Sequence, residues 1–355
     1  MRDRGTAWIF LAAFLAAGCA SKWTIRSERP DIALQWPFQP AKAKVTYVRA
    51  IKGFSPSSSS RSLFRAIVYG TERSEEGGFL LPVAVATGRD GRIAVADTGC
   101  GCVHLYVPGE RKYVRISAAA AERLRSPVGL AFDEDRKLYV SDSAAGRILV
   151  FGSDGKYLSS FRETGSGPLK RPTGLAYNSR KKLLYVADTI GNRIHAFTAG
   201  GEAVLSFGRI GEGAGEFNHP THIFWAPSGL LYVTDSMNFR IAVFDDSGKA
   251  LNSFGHHGDG SGDLAMPKGV AADNDGIVYV VDSLFDNIQL FNRRGNFLLT
   301  LGRRGSDFGE FWLPTGMSFD ADGTLYVCDT YNRSIQVFKV TDNYKDETLS
   351  VGPEP

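Results

Sequence analysis

The sequence predicts an all-β protein: a six-bladed β-propeller with four-stranded antiparallel blades, the last closed by an N-terminal strand. Three observations carry this. Six prolines, Pro82, Pro127, Pro172, Pro220, Pro267 and Pro314, recur at intervals of 45, 45, 48, 47 and 47 residues. Six aspartates, Asp97, Asp142, Asp188, Asp235, Asp282 and Asp329, keep the same phase at 45, 46, 47, 47 and 47. Between these landmarks, short apolar and β-branched runs are broken by Gly, Asn, Asp and Ser about every 8 to 12 residues, the spacing of hairpin-linked strands. A repeat of this length is a unit that buries its apolar faces only by stacking on copies of itself.

The third unit shows each element in order. An inner strand begins at Pro172-Thr173-Gly174-Leu175-Ala176, and a second, Leu184-Tyr185-Val186-Ala187, ends at Asp188. The loop Thr189-Ile190-Gly191-Asn192 leads into a third strand from Arg193 to Phe197, and Gly200-Gly201 leads into a fourth from Ala203 to Phe207. No run inside the repeats sustains a 3.6-residue period, so helices are not expected there. Four strands per unit and six units predict radial repetition, which leaves only short protected edges. The sixth unit supplies three strands and stops. Lys44 to Ile51 resembles the outer strands of the other units and precedes the first of them, so it is expected to complete the ring.

Pro172-Thr173-Gly174-Leu175-Ala176, the run Leu184 to Ile194 and the loop Gly208-x-x-Gly211-x-x-x-Gly215-x-Phe217-x-x-Pro220 resemble the NHL repeat. The resemblance runs through roughly residues 80 to 340. It implies a six-bladed propeller. It does not imply one activity, because the family holds RNA-binding domains, receptor sensors and an amidating lyase.

The N-terminus reads as an export signal. Arg2 and Arg4 precede an apolar run from Ala7 to Ala17, too short to span a bilayer. Leu15-Ala16-Ala17-Gly18-Cys19 resembles a bacterial lipobox, which makes 1–18 a signal peptide and Cys19 the lipidated first residue. Ala20 in the next position favours the outer membrane if the cell is Gram-negative. Residues 19–42 read as a tether, with Trp36 and Phe38 pinning its later part; 43–341 as the propeller; 342–355 as a tail. The expected location is the cell envelope, held by lipid and not by a spanning helix. A formal charge of +3 and export both argue against nucleic-acid binding.

An exported protein tolerates disulfides. Cys100 and Cys102 follow Asp97, and Cys328 precedes Asp329 in the adjoining last blade, so a bridge from that loop to Cys328 would lock the ring. A Cys-x-Cys bridge is expected to be strained. The three cysteines lack an evident fourth ligand, and no metal or other cofactor is expected.

The phased aspartates look like a carboxylate ring but read as turn clamps, with Arg147, Arg193 and Arg240 five residues past three of them. The inner strands are more informative. Two residues past each phased proline stand Ala84, Gly129, Gly174, His222, Gly269 and Gly316; two further on stand Ala86, Ala131, Ala176, Phe224, Ala271 and Ser318. Only the fourth blade breaks both small-residue rules, which makes His222 and Phe224 candidate ligand contacts. The loops that begin at Gly208, Gly255 and Gly302 add Arg209, His256, His257, Arg303 and Arg304, with Lys268 nearby: a basic rim for an anionic group. Residues 54–79 form an oversized loop whose middle, Ser62 to Tyr69, is patterned for one or two helical turns.

The amidating lyase of the family holds zinc with histidines from several blades. Here only His222 stands at such a position, and no nucleophile elbow or paired catalytic carboxylate occurs, so catalysis is not expected. The expected function is a non-catalytic binding scaffold that meets an envelope protein, peptide or glycan with its channel-mouth face. The alternative is a metal-dependent lyase or hydrolase.

Overall fold

Each phased proline opens an inner strand: Pro82–Thr87, Pro127–Phe132, Pro172–Asn178, Pro220–Trp225, Pro267–Ala272 and Pro314–Phe319. Proline suits a first strand residue because no ladder hydrogen bond is lost there. The computed structural model describes residues 22–57 and 77–341. In blades one to five the four strands pair in chain order, all antiparallel, from the inner strand outward. Each inner strand packs against those of its two neighbours, and the inner strand of blade six returns to that of blade one. The ring closes as a six-bladed propeller.

Blade six is completed as the sequence predicts. Val45–Pro56 pairs antiparallel with Ser334–Val340, from Val45↔Val340 to Ile51↔Ile335. This strand runs further than expected, because Phe54 belongs to it and is buried against Phe79, Tyr106 and Tyr113. Part of the segment read as a tether is also ordered. Trp23–Glu28 pairs outside the closing strand, with the Trp23 ring 4.5 Å from that of Tyr113 in blade one. Trp36 is buried 5.9 Å from the Phe338 ring, whereas Phe38 is 68% exposed. The buried Trp36 and the half-buried Trp23 hold this stretch down.

The core lies between the blades. Among the described residues, six apolar clusters each join two neighbouring blades around the ring. Phe217, Leu264 and Phe311, each from the loop entering a blade, are fully buried in three of them. Hydroxyls staple the same seams: Thr189, Ser236, Ser283 and Thr330, each directly after a phased aspartate, donate to the carbonyls of Pro220, Pro267, Pro314 and Pro82 in the next blade. The signal peptide, Cys19, the centre of the 54–79 loop with its expected helical turns, and the 342–355 tail lie outside the described residues. No helix among the described residues is long and apolar enough to cross a membrane.

Candidate functional site

The phased aspartates do close turns. Each accepts one or two backbone N–H groups from the segment entering its own blade: Leu80 and Leu81 for Asp97, Lys170 and Arg171 for Asp188, Ala265 and Met266 for Asp282. Arg240 lies 2.9 Å from Asp235, and Arg147 lies 3.8 Å from Asp142. These carboxylates are buried and already occupied, so they do not form a cation ring.

The cysteine expectation is overturned. Cys100 and Cys102 are joined to each other, and Cys328 is free and buried. Glycines at 99 and 101 let the intervening loop fold back, with Gly101 at φ +56°, which brings the two cysteines together.

Four of the six residues at this position of the inner strands have to be glycine. A β-carbon on Gly129 would stand 1.9 Å from the Thr173 carbonyl oxygen, and those on Gly174, Gly269 and Gly316 would stand 2.5–2.7 Å from the nearest backbone oxygen of the following blade. His222 departs from that rule beside Lys268 of the fifth blade. Burial, reinforced by the Lys268 charge, pushes the His222 imidazole down to about 3. Burial also lowers Lys268, with Asp282 opposing. His222 Nδ1 lies 3.2 Å from Thr221 Oγ1. His222 and Lys268 are both half-buried, one from each of two neighbouring blades.

The remaining cations do not join it. Arg209 lies 2.8 Å from Glu216, Arg303 lies 2.9 Å from Glu310, and His256 lies 2.7 Å from Asp263, each pair within its own loop. Arg304 reaches Asp286 at 3.9 Å, and the His257 ring sits 4.4 Å from that of Phe239. The spacing of cation and acid, seven residues apart in all three loops, was visible in the sequence. The expected basic rim is therefore largely neutralised from within, and at 78–82% exposure Arg209, His256 and Arg303 gain little from their pairs.

A concave site lies at the other end of the channel. A cavity of about 800 Å³ is lined by the far ends of the inner strands and the turns that follow them. Phe224 lines it; His222 and Lys268 do not, so the two bulky residues of blade four do not share a site. Phe132, Tyr177, Trp225 and Phe319 stand with Phe224 as half-buried aromatic wall. Three of them rest on second-strand tyrosines: Tyr177 on Tyr139, Trp225 on Tyr185 with ring centroids 5.7 Å apart, and Phe319 on Tyr279. Asp273, Asp275, Asp320 and Asp322 give one side of the mouth an acidic character, against Arg89 and Lys339. Burial pushes Asp273 up to about 6 even though its carboxylate accepts from the N–H of Ile277 and the hydroxyl of Tyr279. The aromatic residue five past the phased proline in four of the six units is the sequence signal for this wall.

Residues 311–338 match the family model of the NHL repeat, so the chain carries an NHL repeat in its sixth blade. No curated protein matches by sequence. Solved structures share the propeller fold. A catalytically inactive variant of virginiamycin B lyase from Staphylococcus aureus with quinupristin is 15% identical, with TM-score 0.55 over 74% of this chain and 95% of that one. A gluconolactonase from Xanthomonas campestris is 14% identical, with TM-score 0.57 over 74% and 87%. A Bacteroides thetaiotaomicron protein of unknown function is 14% identical, with TM-score 0.58 over 75% and 70%. Enzymes thus occur among the structural neighbours, and at these identities the likeness is one of fold.

Proposed function

We propose that the protein is a lipid-anchored binding propeller of the bacterial envelope that takes a group of a protein, peptide or glycan into its aromatic-walled cavity without transforming it. The observation that carries this is the cavity of about 800 Å³ with its half-buried aromatic wall. Its volume is in the range of small-ligand sites. Aromatic faces take up apolar ring faces or cationic groups, and the carboxylates at the mouth accept hydrogen bonds from hydroxyl or ammonium donors. The chemistry of the wall favours binding over turnover. Its most perturbed acid, Asp273, is held by its own turn and by Tyr279, and among the described residues neither histidine nor cysteine lines the cavity. A lipid on Cys19 would hold this domain at the membrane surface, and near-neutral charge suits a partner other than nucleic acid.

The second reading is a lyase or hydrolase at the opposite channel end. The half-buried His222 and Lys268, both titrating below their ordinary values, favour it, alongside the enzymes among the structural neighbours.

A photo-reactive phenylalanine analogue in place of Tyr177, and separately in place of Arg303, tests the choice in intact envelopes. We expect a specific adduct from position 177 that weakens with Trp225→Ala. An adduct from position 303 alone would move recognition to the loop face. No adduct from either, with a turnover that His222→Ala abolishes, would replace binding by catalysis.

A further inference from the structure

Blade one holds a cluster that neither channel end uses. His104 lies two residues past Cys102 in the strand Cys102–Val107, so both side chains emerge on one face. His104 Nε2 stands 3.6 Å from Cys102 Sγ and 3.8 Å from Cys100 Sγ. His104 Nδ1 lies 2.8 Å from the Tyr113 hydroxyl, and Asp97 Oδ2 lies 3.6 Å from Nε2. Cys102 and His104 are buried at 0% and 2% exposure, while Cys100 is half-buried and opens the cluster to solvent.

We propose that, once the disulfide is reduced, Cys100, Cys102 and His104 bind one thiophilic closed-shell metal ion, Zn(II) or Cu(I). In a tetrahedral site with metal–sulfur and metal–nitrogen bonds of about 2.3 and 2.05 Å, sulfur and nitrogen ligands stand about 3.6 Å apart. The imidazole nitrogen already stands at 3.6 and 3.8 Å from the two sulfurs. Only the sulfurs must separate, to about 3.8 Å on the same geometry, and Cys100 lies in a glycine-flanked loop that allows it. Tyr113 supplies the partner that a ligating histidine commonly has on its other nitrogen, fixing the ring with Nε2 toward the metal. Asp97 adds a negative charge behind the site, its oxygens engaged by the N–H groups of Leu80, Leu81, Gly99 and Cys100.

The other blades provide the control. His195 occupies the same repeat position, 3.9 Å from Asp188 with Nδ1 on Ser206, so a histidine there belongs to the turn clamp. The residues matching Cys100 and Cys102 in that blade are Gly191 and Arg193; blades two and four also have arginines, Arg147 and Arg240, in place of Cys102. Blade one alone replaces cation and spacer with two sulfurs. The chemistry balances with a thiol reductant: two external thiols give up two electrons and two protons to the disulfide and leave as their own disulfide. The metal then displaces the two cysteine protons on binding.

The test uses the full-length protein in detergent, reduced, freed of reductant without air and titrated with Zn(II), and separately Cu(I), against a chromophoric chelator. We expect one ion per chain in the reduced protein and none in the oxidised one. Cys100→Ser and His104→Gln should each weaken binding by at least about 100-fold, the upper range for losing even a supporting partner, whereas His195→Gln should leave it unchanged. A Co(II)-loaded sample should show thiolate charge-transfer absorption that Cys102→Ser removes. Failure of both ions to compete with the chelator in a reduced protein whose unfolding midpoint is intact would overturn the proposal. So would binding that survives Cys102→Ser.

Discussion

His222 is where one side chain departs furthest from its repeat, and its energetics are testable by pH. Its folded value of about 3 lies below the ordinary 6.5. Between the two, the unfolded chain binds a proton that the folded chain refuses, so stability falls as pH drops through 6.5 toward 3. One such group contributes at most about 1.4 kcal/mol per pH unit. Asp273 and Asp329, raised from 3.8 to about 6, have the opposite sign: the folded form keeps their protons in that window, and stability falls as pH rises across it. The three effects overlap, so total stability against pH hides each of them. Comparing wild type with His222→Gln isolates the first. The variant should gain on wild type steadily as urea unfolding is repeated at pH 7, 5.5 and 4.5. A constant difference across the series would show that His222 is solvated and ordinary. The sequence pointed to this position because every other blade is small there. It did not reveal that Phe224, two residues along, faces a different cavity: alternation along a strand cannot say how far down a channel each side chain sits.

At the scale of the element, the repeat is legible along the chain but not between blades. Proline, aspartate and turn positions are spaced along the chain, so strand order and the turn clamps were legible from them. The hydroxyl after each phased aspartate was equally regular, with Thr98, Ser143, Thr189, Ser236, Ser283 and Thr330, yet it drew no reading. For Thr189, Ser236 and Ser283 the partner is a proline carbonyl 31 residues ahead in the neighbouring blade, and for Thr330 it is Pro82 across the ring, so a single repeat does not contain it; Thr98 donates instead to the Leu81 carbonyl of its own blade. The cysteines show the same limit. The adjacency of the first and last blades favoured Cys328, whereas the local path through Gly99 and Gly101 decided the pairing. The staples carry a prediction. Thr189→Val and Thr330→Val keep shape and burial but leave a buried carbonyl short of a donor, at about 1–2 kcal/mol each. Because the seams are separate, the double variant should lose close to the sum in equilibrium urea unfolding. A loss under about 0.3 kcal/mol for both would mean that the proline carbonyls find other donors.

At the scale of the whole molecule, stability rests on closing the ring. A linear array of repeats adds one seam per unit, but a closed ring adds one more, and here that seam is the cluster joining blades six and one. Val45–Pro56 makes this possible by covering Ser334–Val340, and Trp23–Glu28 laps over onto blade one, where the Trp23 N–H donates to the Arg111 carbonyl at 2.7 Å. Two truncations separate these contributions. Without residues 1–42 the closing strand remains, so the domain should stay monomeric and unfold in one transition at a lower midpoint. Without residues 1–57, Ser334–Val340 becomes an open edge, a template for pairing with another chain. That form should elute as oligomers or lose its single transition. A synthetic peptide covering 45–56 should restore the monomer by adding the missing strand in trans. A monomeric, cooperatively unfolding 58–355 fragment would show that the six inner strands hold the ring without their seal.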